Sequence, residues 1–487
     1  SVSFNPVSGE NPPVSWRDRA QEKKIALTAS HYFERRYPEL GLLTTYGDEQ
    51  TALRLAAGGF SDFVPLGEIH LSDSLMELKI RQPNHLQFHV QSFSDWLELS
   101  IDMDGLDQKE LIQILKQYEE KKTYYQLKDG SYVLFQNQEL DILPELMEGL
   151  QLSAKEITGK VTGISGSRAL YLKKLFETYH TDYSHDAYFE RLTACLEKQD
   201  LEPEPVPESM QPVLREYQVK GYQWMAMLDR MGFGGILADD MGLGKTVQMI
   251  ALFERVYGEV KTFERVYGEN KTSSDTEAEI RESRPSLIVC PSSLVYNWEH
   301  EIARFAPDIT TLVIAGNGVE RKKILKDGPQ AQIWITSYDL LRRDISLYAN
   351  YEFRLQVLDE AQNIKNQGTQ NARAVKKIRA VRRFALTGTP VENRLGELWS
   401  IFDYLMPGFL YSYNRFHAAF EVPLVKDQDE RVVTRLHNMI SPFILRRLKK
   451  EVLTELPDKC ETILYPALEG EQKKLYTAFA YRKDWLT

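Results

Sequence analysis

Residues 234–246 read Gly-Gly-Ile-Leu-Ala-Asp-Asp-Met-Gly-Leu-Gly-Lys-Thr: an apolar strand, a glycine-rich turn, then Lys-Thr opening a helix. That order cradles phosphate, because backbone N–H groups and the helix dipole at the turn both favour an anion. Gly242 and Gly244 let the backbone approach closely, and Met241 and Leu243 complete the loop. Lys245 can reach the β- and γ-phosphates, and Thr246 offers a hydroxyl to Mg2+. The general template begins with Gly where this chain has Asp239. A second apolar strand ends in Asp359 and Glu360, within Val357-Leu-Asp-Glu-Ala-Gln362. One carboxylate can hold Mg2+, usually through water, while its neighbour orients or deprotonates the attacking water. Together these features point to a magnesium–ATP site. Lys245, Asp359 and Glu360 are the catalytic candidates, and Thr246 and Asp359 the metal ligands.

Other segments could complete the site. Thr387-Gly-Thr-Pro390 ends a strand, and Thr387, Gly388 and Thr389 could sense the γ-phosphate; a tight turn that caps a helix is the alternative. Leu214-Arg-Glu-Tyr-Gln218 precedes an amphipathic helix. The Gln218 amide, with Arg215 nearby, can both donate to and accept from an adenine edge; a surface glutamine is the alternative. Pro291, Ser292 and Ser293, and Thr336, Ser337 and Tyr338, lie in strand-end loops whose small donors suit DNA phosphates. Residues 371–383 hold Arg373, Lys376, Lys377, Arg379, Arg382 and Arg383 with no acid, a DNA-facing run or simply a solvated helix face. Asp102 and Asp104 are better read as solvated strand-end acids than as a catalytic pair.

These residues need a scaffold. At roughly 150 residues per domain, 487 residues suggest about three domains. Apolar strands at Gly235–Ala238, Ser286–Cys290, Thr311–Ala315, Gln332–Thr336, Leu355–Leu358 and Phe384–Thr387 alternate with helices. Several are apolar throughout, as strands covered on both faces must be, which predicts a doubly wound parallel α/β sheet with ligands at the strands' carboxyl ends. Leu201-Glu-Pro-Glu-Pro-Val-Pro-Glu208 reads as an extended, solvated linker. Before it the pattern is mixed α+β. Trp96–Met103 alternates as a half-buried strand, a helix runs from Asp107 to about Glu120, and Thr123–Leu127 pairs with Ser131–Phe135 through Lys-Asp-Gly. Phe253–Glu259 recurs as Phe263–Glu269, which reads as a surface insertion, with a local duplication as its origin.

The net charge of −10 is uneven, with −13 on residues 1–210 and +3 on residues 211–487. The first part is thus a poor polyanion contact. No apolar run approaches the ~20 residues of a membrane span, and no secretory leader is visible. Cys195, Cys290 and Cys460 show neither disulfide nor metal spacing, so a reducing, cytoplasmic setting is expected. The first residue is Ser, as expected of a processed or cut piece.

Residues 209–455 resemble the first motor lobe of the sucrose-nonfermenting (Snf) family of helicase-like ATPases, in superfamily two. The matching segments come in family order: Leu214–Gln218, Leu237–Thr246, Ile288–Trp298, Ile335–Tyr338, Leu358–Asn366, Ala385–Asn393 and Pro442–Arg447. Asp239 is usual within that family, whereas Gln362 stands where many members have His. Residues 1–200 resemble the helicase-associated region of some bacterial members, with 201–208 as linker. The resemblance implies a RecA-like lobe and ATP-driven translocation on double-stranded DNA, by a monomer near the bacterial nucleoid. A protein partner would be met through the amino-terminal domain. It also implies a second lobe carrying an arginine finger. Residues 456–487 would only begin that lobe, so weak hydrolysis by this chain alone is expected. A nucleotide-regulated DNA- or protein-binding module and an RNA-directed motor remain the alternatives.

Overall fold

Seven strands of the second half align in one parallel sheet because most carry apolar side chains toward both faces. In the computed structural model, residues 3–4, 19–33, 35–37, 42–44, 53, 55–57, 59–66, 69–70, 73–76, 79–81, 86–93, 96–103, 108–119, 124–134, 141–157, 160–197, 203–267, 284–327, 330–388, 395–426, 429–452 and 468–480 are described.

Among the described residues the amino-terminal part holds three small sheets. β1 (Ser3–Phe4), β2 (Arg35–Tyr37) and β3 (Leu42–Thr44) pair antiparallel in the order β1-β3-β2. β4 (Ile80–Arg81), β5 (Leu86–Phe93), β6 (Trp96–Met103), β7 (Tyr124–Gln126), β8 (Tyr132–Leu134), β9 (Val161–Ser165) and β10 (Tyr183–His185) form the sheets β4-β8-β7 and β10-β5-β6-β9. The β7–β8 hairpin and the helix Gln108–Glu119 fall where the sequence places them. Asp102 lies 3.6 Å from His89 across a strand pair, with its side chain largely in solvent; Asp104 is outside the described residues.

The large sheet comprises β11 (Gly235–Leu237), β12 (Ser286–Cys290), β13 (Thr311–Val313), β14 (Ile333–Ser337), β15 (Glu352–Leu358), β16 (Arg379–Leu386) and β17 (Ile444–Leu445). Its order is β13-β14-β12-β15-β16-β11-β17, parallel at every pairing. This is the RecA-like arrangement. β11, β12 and β14 are buried at every position.

Three features depart from the sequence reading. The basic run divides between the helix Gln370–Lys377 and β16, and much of it is engaged internally. Lys376 pairs with Asp403, and the Arg382 and Arg383 guanidiniums donate to the carbonyls of Asp229 and Tyr404. Residues 203–208 are strapped down: Pro205 and Glu204 carbonyls accept from Tyr222 and Gln223, and Glu204 pairs with Arg230 at 3.0 Å. Proline-rich backbone offers carbonyls without matching N–H groups, so the helix Glu216–Arg230 supplies the donors. The first copy of the repeat is core rather than surface. Phe253, Val256 and Tyr257 are buried on the helix Lys245–Tyr267, and the Tyr257 hydroxyl lies 2.7 Å from Ser286 Oγ. The second copy continues that helix to Tyr267, and residues 268–283 are outside the described set.

Among the described residues one buried hydrophobic cluster runs from Leu86 to Phe443, so the sheet β10-β5-β6-β9 and the lobe share a core. A cleft of about 610 Å3 between them is lined by Trp96, Arg168, Phe233, Phe409 and Tyr411 among others, and by no residue of the phosphate loop. Contacts divide the chain into Ser1–Arg446 and Arg447–Thr487; the second unit contributes the helices Lys449–Val452 and Gly470–Ala480. Among the described residues no helix is long and apolar enough to cross a membrane.

Asp229 ties the lobe together. Its buried carboxylate accepts from both Arg354 Nη atoms, at 2.8 and 2.7 Å, and from Arg255 at 2.9 Å. Burial alone would raise this carboxyl, but Arg354, Arg255 and Arg382 hold it below its ordinary value of 3.8. A lowered value means the cluster's stabilisation is complete above pH 3.8 and is lost as pH falls through the lowered value. Asp229→Asn leaves buried arginines without their counter-charge and is expected to cost ~3–5 kcal/mol. Thermal and denaturant unfolding at neutral pH would measure this; a loss under ~1 kcal/mol would show the cluster to be dispensable.

Candidate active site

The carboxyl ends of β11, β15 and β16 bring three of the expected segments together. The loop after β11 turns through Gly242 (φ 84°) and Gly244 (φ 72°), both left-handed, before the helix starts at Lys245. A Cβ at Gly244 would lie 2.4 Å from Gln218 Nε2, so a larger residue would displace that amide as well as strain the left-handed backbone. The Leu243 carbonyl gathers donors from Gln218 Nε2 (3.1 Å), Tyr217 Oη (3.2 Å) and Gln248 Nε2 (3.5 Å), which fix the loop from behind. Met241 projects outward, 65% exposed.

Gln218 is buried, and its other end accepts from the Arg215 backbone N–H at 2.9 Å. Both ends of the amide thus hold the helix start against the phosphate loop, and the Arg215 residue is exposed. Lys245 Nζ donates to the carbonyls of Asp239 (2.7 Å) and Asp240 (3.4 Å). Asp239, the residue in the template's glycine position, is fully buried and its carboxylate accepts from Gln248 at 3.2 Å.

Asp359 is gripped at several atoms. Its Oδ2 accepts from the Trp298 indole (2.9 Å), its Oδ1 from the Glu360 backbone N–H (2.9 Å), and its carbonyl from Tyr338 Oη (2.8 Å). Glu360 sits in the left-handed region at φ 50°, beginning the turn Ala361–Ile364. Its Oε2 accepts from Gln362 Nε2 at 2.7 Å, and Gln362 Oε1 accepts from Thr387 Oγ1 at 3.0 Å. Gln362 therefore joins the acid at the end of β15 to the hydroxyl at the end of β16. The sequence offered Gln362 only as a departure from His; its spacing after Glu360 gives a hint, whereas the Trp298 contact leaves no local signal.

The charges fit a ligand. Burial lowers the Lys245 ammonium despite the nearby charges of Glu360, Asp239, Asp359 and Asp240. Burial raises the Asp359 carboxyl, with Glu360 adding to the rise, despite the Trp298 bond and Lys245. Both shifts favour the neutral forms, and an anion at Lys245 or a cation at Asp359 would offset the burial. Among the described residues no cluster of three His, Cys, Asp or Glu could hold a metal alone. A cation held by one carboxylate, a hydroxyl and ligand phosphates fits this donor set.

Other expected residues are placed differently. Thr387 is buried, Gly388 follows it, and Thr389 lies outside the described residues. Pro291 precedes the short turn Ser292–Leu294, with Ser292 and Ser293 exposed. Thr336, Ser337 and Tyr338 are buried. Thr336 donates to the Ile314 carbonyl, Ser337 caps the helix Tyr338–Asp344, and Tyr338 holds Asp359. Their side chains are structural, because the strand-end turn points them into the lobe.

The SNF2-related domain pattern matches residues 217–487, more than half of the chain. This chain belongs to the SNF2 family. The pattern named bacterial SNF2 helicase associated matches residues 1–207. The SNF2 relatives include the putative ATP-dependent helicase/translocase YwqA of Bacillus subtilis, 36% identical over 71% of this chain and 37% of that protein. An uncharacterized ATP-dependent helicase of Mycoplasma genitalium, MG018, is 40% identical over 54% of this chain and 23% of its own length. The Saccharomyces cerevisiae TATA-binding protein-associated factor MOT1 is 36% identical over 58% of this chain and 15% of its own length. A solved SWI2/SNF2 ATPase core from Sulfolobus solfataricus, in complex with dsDNA, aligns at TM-score 0.42 and 42% identity over 57% of this chain and 53% of that one. The chain thus spans well under two thirds of each of these SNF2 relatives.

Gln362→Ala would break the tie between Glu360 and Thr387. ATP turnover by the intact protein is expected to fall roughly ten-fold with nucleotide affinity unchanged. Steady-state kinetics beside equilibrium binding would check this, and an unaltered kcat would remove Gln362 from the site.

Proposed function

We propose that this chain forms the nucleotide-binding part of an ATP-driven motor that tracks along double-stranded DNA. The observation that carries the reading is the meeting, at the carboxyl ends of three adjoining strands, of the glycine-rich loop with Lys245, the Asp359–Glu360 turn and Thr387. In this reading Lys245 and the amides of residues 241–246 hold the phosphates of ATP. Thr246 and Asp359 hold Mg2+. Bound Mg2+ neutralises charge that develops on the phosphate oxygens. Glu360 accepts a proton from the attacking water, held for that task by its turn and by Gln362. Gln218 and Arg215 lie at the adenine end, where Gln218 would have to exchange a present partner for the base. Thr387, Gly388 and Thr389 report the γ-phosphate.

Double-stranded DNA is the proposed track, met first at Pro291, Ser292 and Ser293, whose exposed turn can offer backbone and hydroxyl donors. The buried Thr336–Tyr338 segment would contribute through backbone atoms. SNF2 membership and the associated amino-terminal pattern support a bacterial, cytoplasmic protein acting near the nucleoid.

ATP hydrolysis by the intact protein, measured with and without duplex DNA or RNA, tests the reading. Stimulation by duplex DNA is expected. Stimulation by RNA alone would make it an RNA-directed motor, and ATP binding with no nucleic-acid response would make it a nucleotide-regulated module. Glu360→Gln should leave ATP binding intact and reduce turnover by about 10²–10⁴-fold; persistent turnover would remove Glu360 as the base.

A further inference from the structure

The segment between β16 and β17 touches the amino-terminal domain at one end and the Glu360 turn at the other. On the amino-terminal side, the Tyr411 hydroxyl donates to the carbonyl of Gly149, in the last turn of the helix Ile142–Leu150. The Arg168 guanidinium lies between two rings, 4.7 Å from Phe409 and 4.9 Å from Tyr411, and donates to the Phe409 carbonyl. Arg435 pairs with Glu148 and, at 3.5 Å, with Glu145 of the same helix. Gly149 is itself constrained, because a Cβ there would strike the Tyr171 ring, and Tyr171 donates to the Glu145 carbonyl.

The connection continues inward. The Trp399 indole N–H, on the helix Leu395–Leu405, donates to the carbonyls of Leu410 and Tyr411, both at 3.1 Å. The next residue, Ser400, is buried and donates through Oγ to the Ile364 carbonyl at 2.7 Å. Ile364 closes the turn that Glu360 opens in the left-handed region. Lys365, just beyond, lies 3.8 Å from Glu397 of the same helix. A non-glycine residue stays left-handed only where its surroundings over-determine it. Here the turn is held from the Gln362 side and, at its far end, by Ser400.

We propose that Tyr411, Trp399 and Ser400 are positioning residues, through which the amino-terminal domain sets where the Glu360 carboxylate points. The path is serial: Gly149 carbonyl, Tyr411, Trp399, Ser400, Ile364, Glu360. The catalytic consequence rests on Glu360 being the base, as proposed above, whereas the mechanical coupling does not.

Tyr411→Phe removes one hydroxyl and keeps the ring beside Arg168. Ser400→Ala cuts the path at its other end. Amide hydrogen exchange in the intact protein without nucleotide reads the coupling directly. Exchange at Asn363 and Lys365, whose N–H groups close the turn, should quicken about 3–10-fold in each variant. In ATPase assays kcat should fall by about 3–10-fold with KM for ATP unchanged. The double variant should match the worse single one, because both changes cut one path. Unchanged exchange in Tyr411→Phe, or losses that multiply in the double variant, would overturn the proposal. Faster exchange in a protein without ATPase activity would instead retain the coupling and count against the motor reading.

Discussion

A single carboxylate, Asp229, holds the lobe's working parts in register. It sits at the end of the helix that begins beside Gln218 and binds Arg255 on the phosphate-loop helix and Arg354 on the strand leading to Asp359. Its own carbonyl takes Arg382, on the strand leading to Thr387. These elements reach the active site from separate stretches of sequence, yet meet at one buried ion cluster near the opposite ends of the strands. A buried charge with these partners is costly to mismatch, so the cluster specifies one packing of the four elements.

That fixed frame keeps Lys245 and Asp359 partly withdrawn from water. Lys245 and Asp359 are both desolvated, and each is displaced toward neutrality. A pliable loop would relax by solvating them. Here the Leu243 carbonyl is fastened from behind, and Asp359 is gripped at side chain and backbone. Rigidity conferred far from the chemistry keeps the polar groups poised for phosphate and cation.

The sequence made the lobe legible where pattern is local. Continuous apolar strands at 286–290 and 333–337 and the Gly-Leu-Gly-Lys-Thr turn each declare their structure within a few residues. It misled where meaning depends on distant partners. Arg382 and Arg383 look like a DNA-facing charge run, but carbonyls of Asp229 and Tyr404 receive them. Thr336 and Tyr338 look like phosphate donors, but the turn after β14 buries them. The Pro-Glu stretch looks like a free linker, yet a shared core pulls both sides together and the strap lies along a helix. Gln362 illustrates the limit: its identity was plain, and its role needed the position of Thr387.

The shared core also bears on how the protein is made. Tyr411 meets the Gly149 carbonyl 262 residues earlier in the chain. At synthesis rates of ~5–20 residues per second, the early helix waits roughly 13–50 s before its partner is even polymerised. Through that interval Glu145 and Glu148 stand uncovered beside an unfinished apolar face. The net charge of −13 on residues 1–210 favours repulsion between such chains while that face is open.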